Sequence, residues 1–394
     1  MAEWQTFKLG SIVSTNQSTY SPKENWQFVN YLDTGNITMN RVDEIQYINI
    51  STNKLPSRAR RKVKLNSIIY STVRPNQLHY GIIKEQPVNF LVSTGFSVID
   101  VDFEKAVPDY IYYVLTQQEV TEHLQAIAEQ SVSAYPSIKP SDIENLELLL
   151  PDRKTQGRIV AILSSIDEKI KQNNAINNNL ELQAQAIFTN EFLSLDTLPE
   201  GWKQASLIDI ADYLNGLAMQ KYRPIADESG IPVLKIKELR QGCCDDNSEL
   251  CSPSIKSNYI IHDGDVIFSW SGSLLVDFWC GGVCGLNQHL FKVTSSKYDK
   301  WFYYAWTKHH LDRFITIAAD KATTMGHIKR DELAKADVLI PNEADYNRIG
   351  ALLQPIYKMI IANRIENKKL AETRDTLLPK LMSGEIDMSE VDYE

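Results

Sequence analysis

Residues 139–180 and 329–370 are two versions of one segment, and this duplication limits the folds open to the chain more than any other feature. At a constant offset of 190 residues the first stretch shares Lys139, Leu149, Pro151, Arg158, Ile159, Ala161, Leu163, Ile166, Ile170, Asn173, Asn177 and Leu180 with the second. Twelve matches in forty-two positions stand against roughly two or three expected at ~6% random identity. With small gaps the match extends further. Trp4 answers Trp202 after "LPEG", "NSIIYSTVRP" (66–75) answers "GDVIFSWSGS" (264–273), and "YIYYVLT" (110–116) answers "WFYYAWT" (301–307). Solenoid repeats run about 20–50 residues, so a period this long describes two copies of one large unit.

Each copy opens with β-rich stretches such as "NSIIYST" or "GDVIFSW" and has one helical stretch, 109–128 or 298–317. It closes on a segment almost free of glycine, 152–194 or 342–385, that carries a heptad-like stripe. Its a positions are Ile159, Ile166, Asn173, Leu180 and Ile187, and in the second copy Ile349, Ile356, Asn363, Leu370 and Leu377. A helix of about 40 residues is ~60 Å long and must bury such a stripe against a partner; its twin is the obvious one. The expected fold is α+β: two similar α/β globular domains joined by two long antiparallel coiled-coil helices in a pseudo-two-fold repeat. The expected boundaries are 1–150 and 196–340 for the domains, 151–195 for the first long helix, and 341–394 for the second with its C-terminal tail.

Asparagine at an a position costs stability but fixes register. Asn173 and Asn363 are therefore expected near the helix crossing, the alternative being that both face solvent or the end of the stripe. Pro355, where the first copy has Ser165, predicts a kink or restart, because proline removes a helical hydrogen bond and clashes with the preceding turn.

Composition bounds the function. No apolar run reaches the roughly 20 residues of a membrane span, and "MAEWQTFKLG" lacks a signal-peptide core, so a cytoplasmic protein with no membrane partner is expected. The five cysteines, all between 243 and 284, are not a secreted disulfide framework and read as reduced thiols. A net charge of −9 argues mildly against nucleic acid unless basic residues are concentrated locally.

The tryptophan after "LPEG", the block "GDVIFSWSGS…LNQHLFKV", the junction "LLLPDRKTQGRI" and the ending "LLPKLMSGEI" together resemble the specificity subunit of type I restriction-modification systems. The resemblance covers essentially the whole chain and both copies. Two features depart from it: Gln156 follows the proline in the first copy, but Tyr346 replaces it in the second, and Pro355 is not expected. The resemblance implies two target-recognition domains, each reading half of a split double-stranded DNA site. It also implies long helices that dock methyltransferase subunits, two by the symmetry, with restriction subunits joining through the complex. The chain itself would be non-catalytic and need no cofactor. The helices would act as a ruler setting the number of unread base pairs, with half-sites about one DNA turn (roughly 34–36 Å) or more apart.

The residues support DNA binding on their own physics. Residues 54–74 hold Lys54, Arg58, Arg60, Arg61, Lys62, Lys64 and Arg74 with no acid among them, the local excess that phosphate binding needs. Arg74, Asn76 and Gln77 offer the fork and amide groups that read guanine and adenine edges. The second domain offers Ser269, Trp270 and Ser271 after a strand, and Asn287, Gln288 and His289 in "LNQH"; Trp270 reads equally well as core. A third matched pair, "SVSAYPSIK" (131–139) and "KATTMGHIK" (321–329), contributes Ser131, Ser133, Tyr135, Lys139, Thr323, Thr324 and Lys329, where ordinary turn chemistry is the alternative.

Catalytic readings are weaker. Pro151-Asp152 with Asp167-Glu168-Lys169 matches a loose nuclease pattern, but the second triplet lies on the helix stripe. Neither the (D/N)PP(Y/F) string of adenine methyltransferases nor a phosphate-binding G-x-x-x-x-G-K-[ST] loop occurs. Cys280 and Cys284, with Cys251 and His289, lack a zinc-finger spacing and have no equivalent in the first copy, so no metal is expected. A two-domain scaffold that joins proteins without reading DNA is the alternative function.

Overall fold

The computed structural model describes residues 4–131, 135–225, 228–320, 328 and 330–388. The chain divides into two compact units, Met1–Asp167 with Glu372–Glu394, and Glu168–Ala371.

The two units repeat one topology. In the first, Gln5–Lys8 pairs antiparallel with Glu147–Leu150, the strand entering the first long helix. One four-stranded sheet has the order Val13–Thr15, Phe96–Val101, Ile68–Ser71, Tyr80–Ile82, and a second has Gln46–Asn49, Phe28–Leu32, Phe90–Ser93, Ala59–Arg61. In the second unit Lys203–Ser206 pairs with Asp337–Ile340. Its sheets run Asp212–Asn215, Leu290–Thr294, Val266–Ser269, Leu275–Phe278, and Leu250–Cys251, Ile231–Leu234, Cys284–Leu286, Ile260–Ile261. Each second sheet contains one parallel pair at the same place, Phe28–Leu32 with Phe90–Ser93 and Ile231–Leu234 with Cys284–Leu286. The α+β class and internal repeat expected from sequence are present.

The expected single helical stretch is two helices in each unit, Pro108–Leu115 with Gln118–Glu129 and Lys300–His309 with Leu311–Asp320. The first of each pair packs into the core: Tyr110, Ile111 and Leu115 in unit one, Trp301, Phe302 and Trp306 in unit two, all buried. The second core is the more aromatic, with Phe188, Phe192, Trp202, Phe268 and Phe314 in the same cluster.

The long helices are Arg153–Phe188, continued by a π turn at Thr189–Leu193, and Glu343–Met382. Asp152 begins the first by accepting from the backbone N–H of Lys154 (2.9 Å) and Thr155 (3.0 Å). Asn342 does the same for Asp345 (2.9 Å) in the second. The second ends before Gly384, whose φ of +76° suits a left-handed cap. Helical structure continues through Pro355, so the expected restart does not occur. Pro355 is exposed, as is Ala351 one turn earlier, so the proline sits on a face of the helix that no core packs against.

Within the second unit the helical segments pair antiparallel. Asn173 Nδ2 donates to Asn367 Oδ1 (2.8 Å) and Glu366 Oε2 (2.7 Å), and Asn363 Nδ2 donates to Asn177 Oδ1 (2.8 Å). Because Asn363 and Asn367 are the repeat mates of Asn173 and Asn177, these are two symmetry-related copies of one contact. Three of its four asparagines, Asn173, Asn177 and Asn363, are buried and Asn367 is half-buried, and satisfied polar groups in a buried layer specify register because any slip leaves them unpaired. Further along, Arg348 holds Glu191 through two bonds (2.8 and 2.7 Å). Of the apolar stripe, Ile159 and Ile349 are fully buried, each contributing about 1.5–3 kcal/mol; Ile166, Leu180, Ile356 and Leu370 are half-buried.

Candidate nucleic-acid interface

The basic segment of the first unit is partly neutralised by its own fold. Lys62 is ion-paired with Glu24 and lies 5.2 Å from the Trp26 ring, and Lys64 is 3.5 Å from Asp100. Arg61 is half-buried, and loss of hydration lowers the pKa of its guanidinium. Lys54, Arg58 and Arg60 remain exposed, with Arg60 Nε donating to the Ser57 carbonyl at 3.1 Å. Near Arg58, burial of the Asp33 carboxyl is outweighed by bonds from Thr34, Ser93 and Tyr31 and by the arginine's charge, so it stays below the usual carboxylate range.

The strand Ile68–Ser71 is buried on both faces and ends where the chain must turn outward. Ser71 Oγ donates to the Val73 carbonyl (2.8 Å) and Thr72 Oγ1 to that of Gly95 (2.9 Å), fixing the loop base. Arg74 then takes φ +48°, followed by the short helix Pro75–Gln77. This loop is tied to the other predicted one: Arg74 N–H donates to the Pro136 carbonyl (2.9 Å) and Ile138 N–H to that of Thr72 (2.8 Å). The Arg74 guanidinium sits 5.0 Å from the ring centre of Tyr135. Arg74, Asn76, Gln77, Tyr135 and Lys139 are all exposed, and the Arg74–Tyr135 contact joins two of the segments chosen separately from sequence.

The second unit uses the same backbone plan. Ile328 N–H donates to the Trp270 carbonyl (2.9 Å), as Ile138 does to Thr72. Side-chain roles differ. Ser269 is fully buried and donates to the Ser273 carbonyl (2.9 Å); Asn287 is buried and its Oδ1 accepts from His289 N–H (3.2 Å). Both hold the turn rather than face outward. Ser271, also buried, bonds His289 Nδ1 (3.1 Å). Trp270 Nε1 donates to Asn215 Oδ1 (3.0 Å), with its ring against Phe291. Gln288 and His289 are half-exposed. Ser133, Thr323, Thr324 and Lys329 lie outside the described residues. Sequence reasoning passed over Arg240, which reaches this loop from the helix Ile236–Gln241 and donates to Ser273 Oγ at 3.2 Å; nothing local marks it, and only the absence of a side chain at Gly272 points to it.

The carboxylates of the nuclease-like string have other work. Asp152 caps its helix, and Asp167 accepts from Tyr113 Oη (2.6 Å) and Arg374 Nη1 (2.8 Å). The five cysteines are free thiols. Burial drives the Cys280 thiol up to about 11. Among the described residues no three histidine, cysteine or acidic side chains cluster as a metal site, and no helix is long and apolar enough to cross a membrane.

A duplicated α/β unit with paired long helical segments defines a two-domain protein with an internal repeat, and comparison with known proteins makes the class specific. The model of the type I restriction modification DNA specificity domain matches residues 1–182 and 199–372. The chain belongs to this family, as a type I restriction-modification specificity subunit. It is 22% identical over 462 residues to the type I restriction enzyme HindI specificity subunit of Haemophilus influenzae, covering 98% of this chain and 100% of the relative. It is 25% identical over 337 residues to the MjaIX specificity subunit of Methanocaldococcus jannaschii, covering 79% and 76%. Among solved structures, the S subunit from M. genitalium has the same fold, with a TM-score of 0.56 at 14% identity over 96% of both chains.

Proposed function

We propose that this subunit binds a bipartite, asymmetric double-stranded DNA target, each domain reading one half-site, and leaves catalysis to its partners. The domains are taken as residues 1–150 and 196–340. The observation that carries the reading is the matched loop pair, which exposes Arg74, Asn76, Gln77 and Tyr135 in the first domain and sets Arg74 against Tyr135. Fork and amide side chains of this kind read base edges, while exposed Lys54, Arg58, Arg60 and Lys139 suit phosphates; Arg61 is half-buried and Lys62 is held by Glu24. The second domain would use Trp270, Gln288 and His289, the last positioned by buried Ser271, together with Thr323, Thr324 and Lys329. Since the loops have diverged, the half-sites differ in sequence. The long helices dock two methyltransferase subunits, and restriction subunits join through that complex; helix length sets the unread spacer.

The test is selection from a random duplex pool by the subunit assembled with its methyltransferase partners. A split motif with unlike halves should emerge. Replacing residues 1–150 with another family member's domain should alter one half only, and an added turn in both helices should lengthen the spacer. Replacing Lys54, Arg58 and Arg60 by alanine should weaken binding across all sequences and reduce the salt slope by about 0.9 for each phosphate no longer neutralised. A pool that emerges unenriched would leave a protein scaffold.

A further inference from the structure

The repeat places Gly272 where the first domain has Arg74, and both residues are left-handed, at φ +65° and +48°. The loop backbone is therefore the same, but in the second domain no side chain leaves it at this point. A guanidinium arrives from elsewhere. Exposed Arg240, at the end of the helix Ile236–Gln241, donates through Nη1 to Ser273 Oγ at 3.2 Å, one residue beyond Gly272. A Cβ on Gly272 would stand 3.6 Å from Ile236 Cδ1, so the start of the same helix lies over the loop. Beside Arg240 opens a groove of about 530 Å³ lined by Gly272, Ser273, Leu275, Ile315 and Ala318. The helix is particular to this domain: after the matching strand Phe28–Leu32 the first domain has only the short turn Thr34–Asn36.

We infer that Arg240 is the base-reading guanidinium of the second domain, doing from an inserted helix what Arg74 does from the loop. The inference rests on the DNA reading proposed above. Its anchor on Ser273 fixes one N–H of a planar fork and leaves the remaining donors for two acceptors side by side, the pattern that guanine O6 and N7 present in the major groove.

The experiment compares wild type, Arg240→Ala, Arg240→Lys and Arg74→Ala in the complex with methyltransferase subunits, by selection from a random duplex pool. Arg240→Ala should relax one guanine position, with discrimination falling on the order of 10- to 100-fold. That position should lie in the half-site that a swap of residues 1–150 leaves unchanged. Lysine should not restore it, because an ammonium lacks the fork, and Arg74→Ala should relax the opposite half. An unchanged motif overturns the inference, as does uniform weakening with a shallower salt slope, the signature of a phosphate contact. In either case the DNA reading itself stands, because wild type still enriches a motif. A wild type that enriches nothing removes both. A melting temperature equal to wild type shows that the exposed substitution left the fold intact.

Discussion

The two units keep one backbone plan and satisfy it with different side chains. The N–H of Val107, which precedes the helix Pro108–Leu115, donates to Gln156 Oε1 at 2.9 Å. In the second unit the N–H of Asp299, preceding Lys300–His309, donates to Tyr346 Oη at 2.8 Å. Tyr346 is the repeat mate of Gln156, so the residue that departs from the family pattern performs the same capping with a phenol. A second pair differs more. Tyr113 donates to Asp167, which Arg374 also holds; at the matching places Tyr304 packs edge-on against Tyr357, 5.0 Å apart, and Ala184 replaces the arginine. Duplication preserves what the backbone demands, while the groups that meet the demand are free to change as sets.

The largest expected effect comes from mixing the sets. Tyr357→Asp brings in the first unit's carboxylate without its arginine, against the buried rings of Phe278 and Tyr304. It should cost more than about 3 kcal/mol, from weakened aromatic packing and an uncompensated charge, measurable by denaturant unfolding. A cost below about 1 kcal/mol would break the comparison. The caps come next. Gln156 is buried and also donates to the Pro151 carbonyl (2.9 Å), so Gln156→Ala should cost about 1–3 kcal/mol. Tyr346→Phe removes a hydroxyl that accepts from Asp299 N–H and donates to Asp299 Oδ2 (3.2 Å) at a half-exposed site, and should cost about 1 kcal/mol. Equal losses would mean that the two caps are no longer distinguishable by burial.

Much of this was legible in the sequence. The offset of 190 residues gave the duplication, and the stripe through Ile159 and Ile349 gave the helices, because burial imposes a period that survives divergence. The polar layer was half legible: Asn173 and Asn363 were marked, but their bonds run to Asn367 and Asn177, since an antiparallel pairing joins each asparagine to the neighbour of its mate. The basic run at 54–74 overstated the charge on offer, because Glu24 and Asp100 come from distant segments to meet Lys62 and Lys64. Ser269 and Asn287 look like ligands in sequence because small polar residues at strand ends serve turns and binding alike. Arg240 was illegible, as its relation to Gly272 exists only in three dimensions.

A smaller, pH-dependent difference should separate the units. Burial lowers the pKa of His310, whose Nε2 donates to the Asp337 carbonyl at 2.8 Å; continuing the alignment of 301–307 puts exposed Glu119 at its place in the first unit. Below the ordinary value of 6.5 the unfolded state takes up the proton more readily than the folded one, so stability is full above that pH and declines as pH falls. Burial lowers the pKa of neighbouring His309 in the same direction, so thermal melts at stepped pH should show the decline, His310→Gln should lessen it, and His309→Gln with His310→Gln should flatten it. A decline that persists unchanged in the double variant would place the acid-sensitive group elsewhere.

The smallest effect on stability is the most informative about function. Arg74 is an L-residue in left-handed conformation immediately before Pro75, at a place where the second unit has glycine. Such a conformation costs about 1–2 kcal/mol, and the stacking on Tyr135 returns about 0.5–1 kcal/mol at an exposed site. Arg74→Gly relieves the first and gives up the second, so its stability should lie within about 1 kcal/mol of wild type. Arg74→Ala gives up the stacking and keeps the strain, and should be the less stable of the two. If thermal melts rank alanine above glycine, the backbone is unstrained and the position has no energetic reason to prefer glycine. If glycine ranks above alanine while both lose discrimination in the same half-site, the arginine is kept against its own conformational preference, which is the mark of a side chain retained for what it touches outside the fold.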